Sequence, residues 1–173
     1  MIQWYPGHMA KAKKILKKDL KLVDLILEVL DARVPLSSRN PDLNELISDK
    51  KRLIILNKAD LADIKITKRW EKDLNQKGPV VSVNSLKRKG IKKLLSLIEK
   101  QALKINEKII KKGRKSRDIR VMIIGIPNVG KSALINSLAD SSIVKTGNKP
   151  GVTRGRQWIS ITGNIQLLDT PGI

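Results

Sequence analysis

The sequence contains no cysteine and no phenylalanine, and its only histidine is His8. Without cysteine there is no disulfide framework, no thiol nucleophile and no thiolate metal site. One histidine cannot build a multi-histidine metal cluster. Long apolar runs are also missing. Spanning a bilayer takes roughly 18 residues or more, and the most apolar stretch, Leu20–Leu30, is broken by Lys21, Asp24 and Glu28. The same charges argue against a signal-peptide core, so no membrane partner and a cytoplasmic location are expected. Acidic residues are scarce as well: 16 Asp and Glu face 36 Lys and Arg, for a formal charge of +20.

That surplus favours polyanions, with RNA, DNA and anionic membrane as candidates, ahead of a solubility charge or a lysine-rich genome bias, since composition alone does not determine a partner. Aromatics make up only 2% of the chain. Nucleic-acid contact would therefore run through phosphates, with strong salt dependence, rather than through base stacking. A hydrophobic fraction of 40% in 173 residues is enough for one globular domain with a real core.

Along the chain, lysines alternate with Ala12, Ile15, Leu16 and Leu20 at helical spacing, giving residues 1–22 a basic segment and helix. Leu25–Leu30 reads as a buried strand ending at Asp31-Ala32-Arg33. Asn40-Pro41 starts a helix with Leu43, Leu46 and Ile47 inward. Leu53–Leu56 is a second strand, Thr67–Lys77 a helix stopped by Gly78-Pro79, and Val80–Val83 a third strand. From Gly90, the positions Ile91, Leu94, Leu95, Ile98 and Ala102 predict an amphipathic helix, followed by a basic connector over residues 104–118. Ile119–Ile124 is the next strand, and a helix begins at Lys131. Gln157–Ile161 and Ile165–Leu168 form a pair joined by a turn at Gly163-Asn164. Strands alternating with helices imply an α/β fold with a mostly parallel sheet, whose ligands lie beyond the carboxyl ends of its strands.

The chemistry-bearing residues fall at those ends. Gly125 to Ser132 matches G-x-x-x-x-G-K-[ST] between a strand and a helix, the setting of a P-loop. Its backbone N–H groups curl around phosphates and the helix start adds a favourable dipole. Asn128, Val129, Gly130, Lys131, Ser132 and Ala133 are the expected contacts. Lys131 would reach the β- and γ-phosphates and the Ser132 hydroxyl would ligate Mg²⁺.

Asn57-Lys58-Ala59-Asp60 is a weak string alone and becomes a guanine reader beside a P-loop. Asp60 can accept from the guanine N1–H and 2-amino group together, a donor pair that adenine lacks. Ser82-Val83-Asn84-Ser85 would close the base pocket through backbone contacts, although an ordinary loop fits that string too. Asp169-Thr170-Pro171-Gly172 follows a strand; Asp169 would contact Mg²⁺ and the Gly172 N–H would sense the γ-phosphate. Thr153 is the candidate switch threonine over Mg²⁺. Past Gly172 stands Ile173, which cannot hydrogen-bond an attacking water, so intrinsic turnover is expected to be slow.

The order of these motifs is base reader, phosphate loop, D-x-x-G, which is the order of a circularly permuted Ras-like G domain. With the opening Trp4-Tyr5-Pro6-Gly7-His8-Met9 and Pro127-Asn128 in the loop, the chain resembles the ribosome biogenesis GTPase A family along essentially its whole length. The resemblance implies a slow GTPase using GTP/GDP, Mg²⁺ and K⁺, acting late in maturation of the large ribosomal subunit and its rRNA. It implies a monomer, in bacterial cytoplasm ahead of an organellar matrix. By the same resemblance His8 approaches the γ-phosphate and Asn128 supports a potassium ion. Family members continue into a switch helix and a helical RNA-binding domain, which are expected to be absent from this chain; nucleotide binding should then outlast stimulated hydrolysis. The competing readings are a basic RNA-binding module without significant turnover and an ATP-using P-loop kinase, against which Asp60 argues.

Overall fold

The structure is a computed structural model that describes residues 14–47, 49–141 and 157–169, with backbone alone at 42–44, 157 and 169. Helix α1 covers residues 14–20 of the described chain, followed by β1 (Leu25–Asp31), α2 (Pro41–Leu46) and β2 (Lys51–Asn57). Then come α3 (Ile64–Leu74), β3 (Val80–Ser82), α4 (Ile91–Lys111) and β4 (Ile119–Ile124). Helix α5 (Lys131–Ser141) and the hairpin β5 (Gln157–Thr162) and β6 (Ile165–Asp169) complete the order. The six strands form one sheet in the order β3-β2-β1-β4-β6-β5. All neighbours are parallel except β5 with β6.

Alternate strand residues feed two layers, because successive side chains point to opposite faces. Leu25, Leu27, Val29, Leu53 and Ile55 face α4 and α5, where Leu94, Ile98, Ala102, Leu134 and Leu138 meet them. Ile26 and Met122 face α1, packing with Leu16 and Leu20, while Ile54 and Leu56 pack with Leu74 of α3. A sheet covered on both faces explains why β1 and β2 read as continuous apolar runs rather than alternating ones.

The predicted elements are present with shifted ends, and each shift has a local cause. α3 begins at Ile64, not Thr67, because the Asp63 side chain accepts from the Lys65 and Ile66 N–H groups as an N-cap. α4 runs on to Lys111, so the connector shrinks to residues 112–118. The inward spacing continues through the buried Ala102 and Ile105 to the half-buried Ile109. β1 includes Asp31 and buries Glu28, a residue that the sequence presents as a break in an apolar run. Glu28 is tolerated there because Arg39 donates to both of its oxygens, at 2.8 and 2.7 Å. The tight turn that launches α4 needs Gly90, at φ +80° and with its Cα so near the Ser82 carbonyl that a Cβ would lie 2.6 Å from that oxygen.

Candidate functional site

The carboxyl ends of β1, β2, β3, β4 and β6 lie on one edge of the sheet, since all five run parallel. That edge brings together segments far apart in sequence.

At the end of β4 the chain turns through Gly125 to Gly130 and enters α5 at Lys131. Asn128 sits in the left-handed region at φ 66° and Gly130 at φ +95°. A Cβ on Gly125 would collide with the Val29 carbonyl oxygen of β1, and one on Gly130 with the Asn57 side-chain amide. The glycines are thus required by close approach to the neighbouring strand end as well as by turn geometry. The Lys131 ammonium curls back over the loop and donates to the carbonyls of Gly125 (2.7 Å) and Ile126 (3.0 Å). Burial pushes its amine below the usual lysine value. Ser132, on the first turn of α5, is exposed.

The end of β2 is built around Asn57, which is only 2% exposed. Its Nδ2 donates to the Val129 carbonyl at 2.9 Å. Its Oδ1 accepts from the Ser85 N–H at 3.2 Å and the Ser85 hydroxyl at 2.8 Å. One side chain therefore joins the loops after β2, β3 and β4. Lys58 follows in the left-handed conformation (φ 59°) and its Nζ donates to the Asn128 carbonyl at 2.7 Å. Asp60 lies exposed on the short 3₁₀ turn Ala59–Leu61, with Lys87 at 3.8 Å.

The loop after β3 is fixed from both sides. Asn84 pairs with Lys89 through a backbone bridge, and its side chain accepts from the Lys87 N–H at 2.8 Å. The Ser137 hydroxyl of α5 donates to the Ser85 carbonyl. The Ser82 hydroxyl is turned to α3 and donates to Glu71 at 2.6 Å, which leaves its backbone for the base side. The Ala59 N–H donates to the Val83 carbonyl at 3.1 Å, which ties the two base-side loops together.

The sequence reading passed over Asp31 and Arg33 except as a strand end. Asp31 is in register with Asn57 and accepts from Arg33 Nε, Arg33 Nη2 and Lys58 Nζ at 2.9, 2.7 and 3.0 Å. It holds Lys58 upright between two strand ends. The signal was an acidic residue closing an otherwise apolar strand, followed two positions later by arginine. Ser137 carries no comparable signal, and the string that holds Ser85 gives no hint of its partner Asn57, since a serine in a loop or helix does not announce a distant contact.

The Arg33 hydrogen bonds hold the Asp31 carboxyl well below its ordinary value of 3.8, against an opposing push from burial, and Lys58 lowers it further. A depressed carboxylate stabilises the fold fully above that ordinary value and loses the contribution as pH falls below it. Replacing Asp31 by asparagine (Asp31→Asn) is therefore expected to destabilise the protein at pH 7. The lost Lys58–Asp31 bond alone is worth about 1.5–3 kcal/mol, as expected for a charged hydrogen bond. The gap to the parent should narrow at about pH 3. Urea unfolding at the two pH values measures it, and an equal gap at both would refute the assignment.

Among the remaining candidates, Asp169 ends β6, where its backbone pairs with Gln157 of β5. Ala133 is half-exposed on the first turn of α5. His8 and the rest of residues 4–9, Thr153, and residues 170–173 lie outside the described residues.

A P-loop on β4, an N-K-x-D loop on β2 joined to it by Asn57 and Lys58, and D-T-P-G after β6, in that chain order, define a circularly permuted GTPase domain of the P-loop α/β class. A family model described as "50S ribosome-binding GTPase" matches residues 120–173. A Bacillus cereus protein named ribosome biogenesis GTPase A is 48% identical, over 100% of this chain and 59% of its own length. Its namesake in Bacillus licheniformis is 46% identical, over 100% of this chain and 62% of its own. The crystal structure of GNP-bound YlqF from T. maritima superposes with a TM-score of 0.66 at 34% identity, covering 94% of this chain and 58% of that one. Along its whole length this chain is similar to proteins named ribosome biogenesis GTPase A. It spans about three fifths of the length of those relatives.

Proposed function

We propose that this chain binds GTP and GDP at the carboxyl edge of its sheet and hydrolyses GTP in the service of large-ribosomal-subunit assembly. The observation that carries this reading is the Asn57 side chain, which joins the base loop to the phosphate loop at 2.9 Å across 72 residues of sequence. A phosphate cradle and a base reader held at fixed separation suit a ligand with both parts. The relatives are named for ribosome biogenesis, and the YlqF structures are described as GNP-bound and GDP-bound.

In this reading the backbone N–H groups from Asn128 to Ala133 hold the phosphates, Lys131 leaves its loop carbonyls to meet the β- and γ-oxygens, and Asp60 reads guanine. Ser82, Val83, Asn84 and Ser85 close the base side through their backbone. The hydroxyls of Ser132 and Thr153 and the carboxylate of Asp169 are hard oxygen donors of the kind that suits Mg²⁺. The exposed Ser132 hydroxyl, at the mouth of the phosphate loop, fits that role. Bound Mg²⁺ would neutralise charge on the β- and γ-phosphates. Asn128, in its left-handed turn, is the residue for a potassium ion. His8 and Gly172 would act on the γ-phosphate side. The setting is the bacterial cytoplasm, and the chain works as a monomer. No described helix is long and apolar enough to cross a membrane.

Equilibrium titration with GDP, a non-hydrolysable GTP analogue and ADP tests the nucleotide half of the proposal. Both guanine nucleotides should bind and ADP should not; equal affinity for ADP would refute it. Co-sedimentation with purified subunits tests the other half. Pelleting with the large subunit should depend on triphosphate, and pelleting with both subunits regardless of nucleotide would overturn the assembly role.

A further inference from the structure

Helix α4 carries Lys92, Lys93, Lys100, Lys104, Lys108 and Lys111, against Glu99 and Glu107 as its acids. Lys93, Lys100, Lys104 and Lys111 recur at steps of seven, four and seven residues. At 3.6 residues per turn those steps are close to whole turns, so the four ammonium groups lie on one line about 27 Å long. All four are exposed. The line faces away from Leu94, Ile98, Ala102 and Ile105, which bury the opposite side of the helix in the core.

The stripe gathers more charge towards its far end. Lys104 and Lys108 lie close enough to Lys51, at the start of β2, that their charges add to burial in pushing its amine below the usual value. The exposed Lys112, Arg114 and Lys115 follow directly after α4 and add charge at that end. Among the described residues no ion pair engages any of these side chains. Asp24 and Glu28 are used elsewhere, holding Arg117 and the pair Arg39 and Arg52, so Glu99 and Glu107 are the acids that α4 itself sets against its six lysines. Like charges left convergent and in surplus form a field that a polyanion would relieve.

We infer that the outer face of α4, from Lys93 to Lys111 and on to Lys115, is a docking ridge for the phosphate backbone of structured RNA. This deepens the proposed ribosomal role and rests on it for the choice of RNA as the polyanion. A line of point charges suits successive phosphates along one strand. No aromatic residue lies between Lys93 and Lys115 to stack on bases, so the ridge is indifferent to sequence and reads shape and charge. β2 begins at Lys51, so the lysine-dense end of the ridge lies at the edge opposite the nucleotide loops. RNA gripped at that end leaves the nucleotide loops uncovered.

The test is anisotropy titration of the full chain with a duplex RNA of random sequence, about 20 base pairs long, so that it spans the site of a duplex-shape reader. Titrations are run over a series of salt concentrations. The ridge variant replaces Lys93, Lys100, Lys104 and Lys111 by glutamine, which keeps helix propensity. A control variant makes the same change at the exposed Lys65, Lys68, Lys72 and Lys77, removing equal charge from another face. The ridge variant should bind at least tenfold more weakly and flatten the slope of log affinity against log salt by about 3, at 0.7–0.9 per phosphate contact. The control should stay within twofold of the parent, and a four-arginine version of the ridge should retain binding.

Equal weakening in both glutamine variants would mean that only net charge matters and would overturn the ridge. So would an unchanged ridge variant, or one that loses anionic vesicles but keeps RNA. GDP affinity, followed in parallel, should match the parent in every variant. RNA binding without GDP binding in the parent would refute the GTPase reading while leaving the ridge standing.

Discussion

Replacing Asn57 by alanine (Asn57→Ala) is expected to lower the unfolding free energy by about 2–6 kcal/mol and guanine-nucleotide affinity by at least a hundredfold. The stability loss follows from two groups left behind. The Val129 carbonyl and the Ser85 N–H both belong to buried residues, at 2% and 4% exposure. Each would lose its side-chain partner, at about 1–3 kcal/mol per unsatisfied buried group. The affinity loss follows because the phosphate loop and the base loops would no longer be held at fixed separation, and binding would have to order them. Asn57→Asp separates the two effects. It keeps an acceptor for Ser85 but sets a carboxylate against the Val129 carbonyl, so the phosphate-loop side should fail selectively. Denaturant unfolding and GDP titration of both variants provide the measurement. A stable Asn57→Ala protein with parental affinity would show that the amide is a bystander.

Replacing Asp60 by alanine (Asp60→Ala) should leave folding untouched and abolish the preference for guanine over adenine. Asp60 is exposed and its nearest ionic neighbour is Lys87 at 3.8 Å, so little stability depends on it. Its expected work is selective: a carboxylate placed to accept from two donors rejects a base without them, and such polar sites discriminate by about 10⁴–10⁵. Competition between GDP and ADP at the phosphate loop reports the ratio directly. In the variant the two should compete within about tenfold, the scale of contacts that do not use polar readout. Persistence of the parental ratio would move base recognition to another residue. Because Asn57→Ala acts on both stability and affinity while Asp60→Ala acts on selectivity alone, the pair divides the N-K-x-D motif into a structural half and a reading half.

Much of the fold was legible because its signals are short-range. The heptad-like return of Ile91, Leu94, Ile98 and Ala102 marks α4, and the apolar runs at Leu25 and Leu53 mark strands buried on both faces. The element ends were less legible. The Asp63 cap starts α3 a turn before Thr67, and α4 outlasts its apolar spacing as the sequence displays it, since Lys104, Lys108 and Lys111 interrupt Ile105 and Ile109 and make the segment read as a basic connector. Glu28 was misleading in the other direction: a charge inside an apolar run reads as an interruption, yet Arg39 makes it a core residue.

The sequence by itself determined the P-loop, the N-K-x-D string and their permuted order. A loop that wraps phosphates depends on backbone conformations set by residues within a few positions, and so does a strand–turn–helix junction. Only the tertiary structure decided which of those segments touch. Asp31 meets Lys58, Asn57 meets Val129, and Ser85 meets both Asn57 and Ser137, across separations of 27, 72, 28 and 52 residues. Such pairings follow from the register of parallel strands, and in a parallel sheet that register is set by crossover helices packing on both faces. No local stretch of sequence contains that information, so Asp31 became a site residue, and Ser85 gained its partners, only when the strand ends were brought side by side.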